Sequence, residues 1–425
     1  MEEEMQFNTQ WIMPTSEPRP AEAPAQKAIL LVALSPDDTS AIREGLRDTS
    51  DKWRLEFVSN VRQALTLLEN PAFDAAVVDL QAPGIDAPGL FKSMMEASPT
   101  TLRLGLISPP EREAIQQVRA AVHQLLTKPC DGKVLKAVLA RAFAAQDFLS
   151  DDNFKHLAGG IRSLPVLPSI YTELMQELKA EGPSLERAGQ IVAKDMGLST
   201  KILTLVNSAF FGLGRPVTHP SEAAMFLGTE TLRALVLSLQ VFSQFSQVRL
   251  KEFSVENLWK HSWTMGVLAR RLCEFEEADR ITADEAFIAG LLHDVGKLVL
   301  AANHPAQLEE NIKQARQKKL TLWEQEYQIY HASHAELGGY LLGTWGLSAG
   351  VVEAVAFHHR PALARRQNFS ALTAVHVANT LGKKGPSECG LDPQPISVDY
   401  LRSLDLAERV DGWKQLFADT LEKRN

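Results

Sequence analysis

The sequence is poor in cysteine and has no long hydrophobic run. Its cysteines, Cys130, Cys273 and Cys389, lie far apart and are odd in number, which disfavours a disulfide framework or a cysteine-based zinc site. No apolar run approaches the roughly 18 residues that a membrane span requires. The acidic start Met1-Glu2-Glu3-Glu4 also differs from the basic start of a signal peptide. We therefore expect a cytoplasmic protein that does not contact a membrane.

Clustered positive charge is also lacking. The formal net charge is −8 at pH 7, and no block of Lys and Arg occurs. A nucleic-acid backbone would find no basic surface, which argues against direct DNA or RNA binding. At 425 residues, 45% of them apolar, the chain is too long for one ordinary core and is expected to form two domains with tails.

The first half of the chain has the pattern of an α/β domain. Residues 1–26 are rich in Glu, Pro and Ala and predict a flexible tail. Short apolar runs then alternate with amphipathic segments; the runs lie at residues 29–34, 74–80, 102–108 and 123–127. This alternation is typical of βαβ units around a parallel sheet.

The second half has a helical pattern. Strand-like runs stop at about residue 149, after which helical periodicity predicts an all-α region that begins near residues 150–153. A segment rich in Pro, Gly and Ser follows residue 385, and a last amphipathic helix is expected from about Leu404 to Leu421.

Polar side chains follow three of the predicted strands. Asp79 ends the second apolar run, Ser108 ends the third and Lys128 follows the fourth. The carboxyl ends of parallel strands share one edge of the sheet, where ligands collect. A carboxylate, a hydroxyl and a lysine at this edge would suit phosphorylation of Asp79, with Ser108 and Lys128 contacting phosphoryl oxygens.

These residues resemble the receiver domain of two-component response regulators. The resemblance covers roughly residues 27–146 and depends on Val77-Val78-Asp79-Leu80-Gln81-Ala82-Pro83-Gly84, Ser108 and Thr127-Lys128-Pro129. It implies a flavodoxin-like α/β fold with a five-stranded parallel sheet. It also implies that Asp79 is the phosphoacceptor, Ser108 the switch hydroxyl and Lys128 the lysine that contacts the phosphoryl group.

Two positions depart from the receiver pattern. Ala33 and Leu34 occupy the places of the acidic pair that holds Mg²⁺, so a Mg²⁺ cofactor is doubtful. Leu125 replaces the aromatic residue that reports phosphorylation. The alternative interpretation is therefore a degenerate receiver that serves docking or dimerisation.

Asp37 and Asp38 lie close to the missing acidic pair. However, Ser35-Pro36-Asp37-Asp38 fits the start of a helix, with Ser35 as the N-cap and acidic residues in the first turn. We favour this structural interpretation over a displaced metal site.

The helical half resembles the HDOD domain, the HD-related output domain of bacterial signalling proteins. The motifs occur in family order: Leu164-Pro165-Val166-Leu167-Pro168, Asn207-Ser208-Ala209-Phe210-Phe211-Gly212, Trp259-Lys260-His261-Ser262 and Leu291-Leu292-His293-Asp294-Val295-Gly296-Lys297. We expect this all-α domain at residues 147–385, with an HD-like subdomain at about 255–385 and a C-terminal loop and helix at 386–425. For Asn207 and Ser208 we favour a structural role over contact with a partner.

The resemblance to HD phosphohydrolases also implies a metal site. By position its ligands would be His261, His293, Asp294, His334 and His358, with His359 close by, and the cation would be Fe, Mn or Zn. The last family position normally holds Asp, but this chain has Asn379, an uncharged ligand. The Gly-Tyr-Pro signature of cyclic-dinucleotide phosphodiesterases is missing after His359, which disfavours that activity.

Three functions remain open. The favoured one is a receiver-like input that controls an HDOD output, which acts through protein–protein interaction or ligand sensing. Expected partners are a sensor kinase or other signalling proteins, with a nucleotide ligand and a homodimer as further alternatives. The second is a metal-dependent phosphohydrolase or nucleotide phosphodiesterase. The third is a nucleotide sensor that binds such a ligand at the same pocket without cleaving it. The structural alternative to a metal site is a buried hydrogen-bond network of the histidines.

Overall fold

The computed structural model describes residues 26–49, 52–68, 73–98, 101–108, 117–118, 121–148, 161, 165, 167–180, 182–208, 215–364, 368–382 and 394–422. Residues 1–25 of the expected tail, the expected boundary near residues 150–153 and residues 386–393 of the expected C-terminal loop lie outside this part of the chain.

The N-terminal part is a five-stranded parallel sheet with helices. The strands are β1 (Lys27–Val32), β2 (Trp53–Val58), β3 (Ala75–Asp79), β4 (Leu102–Ile107) and β5 (Gln124–Thr127), in the spatial order β2-β1-β3-β4-β5. The described helices are α1 (Pro36–Gly45), α2 (Val61–Leu68), α3 (Ala87–Ala97) and α4 (Gly132–Phe148), with a 3-10 turn at Arg47–Thr49. All strand pairs are parallel, as the sequence predicts.

Alternate residues of β1 enter two separate cores. Ile29 and Leu31 pack on one face of the sheet with α1 and α4, while Leu30 and Val32 pack on the other face with α2 and α3. Because both faces are covered, the central strands are mostly apolar, with Arg103 in β4 as a charged exception, and the sequence reveals them. The edge strand β2 is only partly buried and contains Arg54 and Glu56, so it forms no apolar run.

The C-terminal part is helical. Its helices are α5 (Ser169–Lys179), α6 (Leu185–Ala193), α7 (Met196–Val206), α8 (Pro220–Gln244), α9 (Val255–Phe275), α10 (Arg280–Leu292), α11 (Val295–Asn303), α12 (Pro305–Lys318), α13 (Leu322–Tyr330), α14 (His334–Thr344), α15 (Ala349–Phe357), α16 (Ala371–Leu381), α17 (Val398–Ser403) and α18 (Val410–Glu422). Short 3-10 turns lie at Pro361–Ala364 and Ala407–Arg409. These helices share one hydrophobic core.

Helix α8 is long and apolar enough to span a membrane, judged by length and composition. The search for continuous apolar runs in the sequence did not reveal this helix. However, 61% of its apolar window is buried inside the protein, and Gly228 interrupts the helical conformation with φ 72°. The burial and the break are those of a core element, in which two shorter helical segments pack against their neighbours.

The C-terminal helix begins later than predicted. Leu404 is the C-cap that follows α17, and Asp405 adopts a positive φ of 57°, so the chain turns before α18 starts at Val410. Trp413 and Phe417 of α18 are buried in the helical core. The Trp413 indole also donates to Glu276 Oε1 at 2.8 Å, which fixes α18 against the end of α9.

The two parts of the chain contact each other. Helix α4, the last helix of the sheet domain, packs against α14. Because α14 starts with His334, this contact connects the sheet domain to the helix that carries this histidine.

Candidate functional site

A carboxylate and a lysine meet at the carboxyl edge of the sheet. Asp79 is the last residue of β3, and Lys128 directly follows β5. The Lys128 ammonium donates to Asp79 Oδ2 at 2.5 Å. Burial lowers the pKa of Lys128, but its hydrogen bonds and charge interactions with Asp79 and Asp38 outweigh burial and raise it. Lys128 is therefore protonated at neutral pH.

Helix α1 brings a second carboxylate to this pair. Ser35 Oγ accepts from the Asp38 backbone N–H at 3.1 Å and Pro36 starts the helix, so the predicted capping is confirmed. Asp38 Oδ2 also lies 3.1 Å from Lys128 Nζ. Asp38 thus takes part both in the helix terminus and in the polar cluster, whereas the sequence favoured only the structural role.

Ser108 lies at the same sheet edge but contacts a different residue. Its backbone N–H donates to Gln81 Oε1 at 2.6 Å. Within the described part of the chain, no contact joins its hydroxyl to Asp79 or Lys128. The structure therefore brings together two of the three predicted residues of this site.

The predicted histidine–aspartate cluster assembles from several helices. His261 is on α9, His293 and Asp294 join α10 to α11, His334 starts α14, and His358 follows α15. His359 is the next residue and faces His334, with 3.0 Å between the two Nε2 atoms. This assembly requires a close approach of α11 to α14.

Gly296 permits that approach. A Cβ atom at this position would lie 1.9 Å from the backbone oxygen of His334. Only glycine therefore lets α11 pack directly on the residue that starts α14.

Asp294 lies between two groups of histidines and uses its two oxygens differently. Oδ1 lies 3.2 Å from His334 Nε2 and 3.8 Å from His358 Nε2. Oδ2 lies 3.2 Å from His293 Nε2 and 3.7 Å from His261 Nε2, and it accepts from the Lys297 ammonium at 2.7 Å. Two potential cation sites share this carboxylate: Asp294, His334, His358 and His359 on one side, and His261, His293 and Asp294 on the other.

Hydrogen bonds select the tautomer of four rings. In each ring Nδ1 faces an oxygen that can only accept, so Nδ1 carries the proton. His293 and His358 face the backbone oxygens of Gly290 and Val355. His334 faces the Glu326 carboxylate, and His359 faces the Gln394 side-chain oxygen. In the neutral form each of these rings keeps its Nε2 lone pair on the side of the cluster, and His334 must first release the proton from Nε2 before it can bind a cation. Metal-ligating histidines usually donate the other ring N–H to an oxygen in this way.

Burial and neighbouring groups shift the pKa values of the cluster. Burial raises the pKa of Asp294, but its interactions with His293, Lys297 and His334 outweigh burial and hold it well below its usual value. Burial lowers the pKa of His358 and of His359 far below the usual range, so these rings stay neutral. For His334, burial lowers the pKa, but the charge of Glu326 and hydrogen bonds to Asp294 and Glu326 raise it to about 9.

A buried polar atom without a hydrogen-bond partner indicates whether a metal fits the histidine–aspartate cluster. His358 Nε2 is buried without a hydrogen-bond partner. Burying such an atom unsatisfied costs free energy, and a cation at this position would remove that cost. A protonated His334 supplies one Nε2–H, which faces Asp294 Oδ1 at 3.2 Å, but the neutral His358 and His359 rings supply none. The residues present therefore fit a divalent cation.

Asn379 is buried on α16, and its Oδ1 also has no hydrogen-bond partner among the described residues. Its role as a cation ligand stays a prediction.

Sequence reasoning missed the residues that support the cluster. Lys297 lies one helical turn after Asp294, so the spacing contained a signal. Glu326 and Gln394 are distant from their partners in sequence, and no local pattern reveals them. The Trp323 ring stacks on His359, with 5.6 Å between ring centroids and an interplanar angle of 17°.

The helical part matches a known family. Residues 164–361 match the HDOD domain model, so the predicted HDOD domain is confirmed for this segment. An uncharacterized protein of Treponema pallidum is 26% identical over 226 residues, which are 52% of this chain and 43% of that protein. The chain therefore spans less than half of that relative's length.

Solved structures agree with the helical fold. An HDOD domain protein of unknown function from Geobacter sulfurreducens is 22% identical, with a TM-score of 0.52 over 68% of this chain and 97% of that chain. At this identity the likeness shows the fold alone. The signal receiver domain of an HD domain-containing protein from Pseudomonas fluorescens Pf-5 is 24% identical over 31% of this chain and 97% of that chain. Its TM-score is 0.29.

Proposed function

We propose that this protein is a signalling protein of the response-regulator type, in which the N-terminal sheet domain is a receiver-like input that controls the HDOD domain. The observation that carries the proposal is the Lys128–Asp79 contact at the carboxyl edge of the sheet. A phosphoryl group on Asp79 would change the charge at the atom that Lys128 now contacts. The output is interaction with other proteins or sensing of a ligand.

The packing of α4 on α14 supports control between the domains. Lys128 lies at the end of β5, four residues before α4 begins. A change at Asp79 that moves Lys128 would reach α4 through this short connection. Helix α4 in turn contacts the helix that starts with His334.

Phosphorylation of the full-length protein tests the input. We expect acetyl phosphate with Mg²⁺ to add one phosphoryl group, detected by intact mass, and Asp79→Asn to abolish the addition. Asp38→Asn should reduce it because Asp38 shares Lys128 with Asp79, while the neighbouring exposed Asp37→Asn is the matched control. Phosphorylation that persists in Asp79→Asn would contradict the assignment.

The output is tested by comparing the wild type with Asp79→Asn and Asp79→Glu. Size-exclusion chromatography with light scattering measures oligomeric state, and a pull-down measures partner binding. We expect the Asp79 variants to differ from the wild type in at least one of the two. If oligomeric state and every interaction are the same in all three proteins, control through Asp79 is refuted.

A metal-dependent phosphohydrolase is a second candidate, favoured by the unpartnered His358 Nε2 beside the Asp294 carboxylate. Asp294, His334, His358 and His359 would hold the cation, which would be Fe, Mn or Zn and would supply Lewis acidity and an activated water. Lys297 would place a positive charge beside the same carboxylate and attract an anionic phosphate ester. Asn379 in the place of a charged ligand weighs against turnover.

Elemental analysis and an activity panel separate these candidates. Protein purified without added affinity metal should contain a near-stoichiometric cation that His358→Ala loses. Phosphate esters and nucleotides are then tested with added Mn²⁺ or Fe²⁺, and a true activity should disappear in Asp294→Ala. Metal without turnover favours ligand sensing, with a nucleotide as the candidate ligand.

We place the protein in the cytoplasm, with a sensor kinase as the partner of Asp79.

A further inference from the structure

A segment outside the matched HDOD region reaches the candidate metal centre. The family match ends at residue 361. Gln394, outside that match, contacts His359 directly. Ser397 contacts His376, whose ring donates to the backbone oxygen of His358. This segment therefore forms part of the surroundings of His358 and His359, although it is distant in sequence.

The Gln394 side chain contacts His359 twice. Its Nε2 donates to the backbone oxygen of His359 at 2.6 Å, and its Oε1 lies 2.5 Å from His359 Nδ1. A backbone oxygen can only accept, so the amide nitrogen must face it and the amide oxygen must face the ring. Nδ1 of His359 therefore carries the proton, and the Nε2 lone pair points towards His334.

A second bridge holds the preceding residue. The Ser397 backbone N–H donates to His376 Nε2 at 3.1 Å, so Nδ1 of His376 is protonated and donates to the backbone oxygen of His358 at 2.8 Å. Residues 394–397 thus fix the backbone oxygens of both adjacent histidines.

We propose that Gln394 is a positioning residue that orients His359 as a cation ligand. The inference rests on the proposed metal centre. Trp323 stacks on the same ring, but stacking does not fix how the His359 ring is rotated within its own plane. The hydrogen bond between Gln394 and Nδ1 fixes that rotation. Without Gln394, His359 would lose both its preferred tautomer and its orientation.

The test measures Co²⁺ binding to full-length protein by absorption spectroscopy with a competing chelator. We expect Gln394→Leu to weaken Co²⁺ binding about 10- to 100-fold, the usual range for loss of such a contact, and to change the ligand-field spectrum. Gln394→Asn should have the same effect because its shorter side chain cannot reach Nδ1. Gln394→Glu retains the acceptor and should bind Co²⁺ within a fewfold of the wild type.

The exposed Gln415→Leu is the matched control, and circular dichroism establishes folding for each variant. A Gln394→Leu or Gln394→Asn protein that is folded and retains the wild-type Co²⁺ affinity and spectrum would overturn the positioning role alone. A wild type that binds no Co²⁺ would overturn both this inference and the metal centre. The two failures are therefore distinguishable.

Discussion

Glu326 holds His334 at two points with one carboxylate oxygen. Oε2 of Glu326 lies 2.6 Å from His334 Nδ1 and accepts from the His334 backbone N–H at 2.9 Å. Both residues are buried. The contact fixes the first turn of α14 and the direction of the His334 ring, although eight residues separate the two in sequence.

Removing this carboxylate should weaken metal binding. We expect Glu326→Ala to lower the affinity for Co²⁺ about 10- to 100-fold, because His334 loses the acceptor that orients it. Glu326→Gln retains an acceptor oxygen without the charge and should give an intermediate affinity. Isothermal titration measures the affinities, and equal binding by all three proteins would contradict the role of Glu326.

The buried Asp294–Lys297 pair predicts a coupled effect on stability. Asp294→Ala removes the counterion of a buried ammonium and should lower the free energy of unfolding by about 3–5 kcal/mol. Asp294→Ala with Lys297→Met removes both charges and should recover much of that loss. Urea unfolding measures both, and neither variant should retain metal. Equal loss in the single and double variants would refute the coupling.

Asn207 joins the end of α7 to the chain before α8. Its Nδ2 donates to the backbone oxygens of Leu203 and Val217, and its Oδ1 accepts from the Val217 N–H at 2.8 Å. We expect Asn207→Ala to lower the free energy of unfolding by about 1–2 kcal/mol. Ser208→Ala, which removes one bond to Leu205, should cost about 0.5 kcal/mol. A loss of partner binding at unchanged stability would instead indicate a contact surface.

His123 predicts a pH dependence of stability. Burial, and then the charge of Arg103, lower the pKa of His123 well below 6.5. As the pH falls, the unfolded chain therefore takes up the proton first, so the stabilisation is complete above about pH 6.5 and is lost progressively below it.

His123→Asn can retain the acceptor for the Arg103 N–H, which His123 Nδ1 now accepts at 2.8 Å. It should be less stable at pH 7.5 but lose less stability than the wild type between pH 6.5 and 5. Chemical unfolding at a series of pH values measures both slopes. Parallel slopes would show that His123 does not titrate in this range on unfolding.

The elements with the most regular patterns were predictable. The central strands are buried on both faces and appear as apolar runs, and Ser35-Pro36 marks the start of α1 through a local hydrogen bond. The edge strand β2 and the start of α18 were less predictable, because partial burial and a positive φ at Asp405 interrupt their patterns.

The sequence by itself determined the α/β and helical halves, the HDOD motif order and most of the histidine cluster, since periodicity and motif spacing are local properties. Only the tertiary structure decided that Asp38 reaches Lys128 and that His359 faces His334. It also decided that His358 Nε2 has no hydrogen-bond partner, and that Glu326 and Gln394 contact the His334 and His359 rings. These facts depend on distances between residues far apart in the chain, which packing sets and local pattern does not.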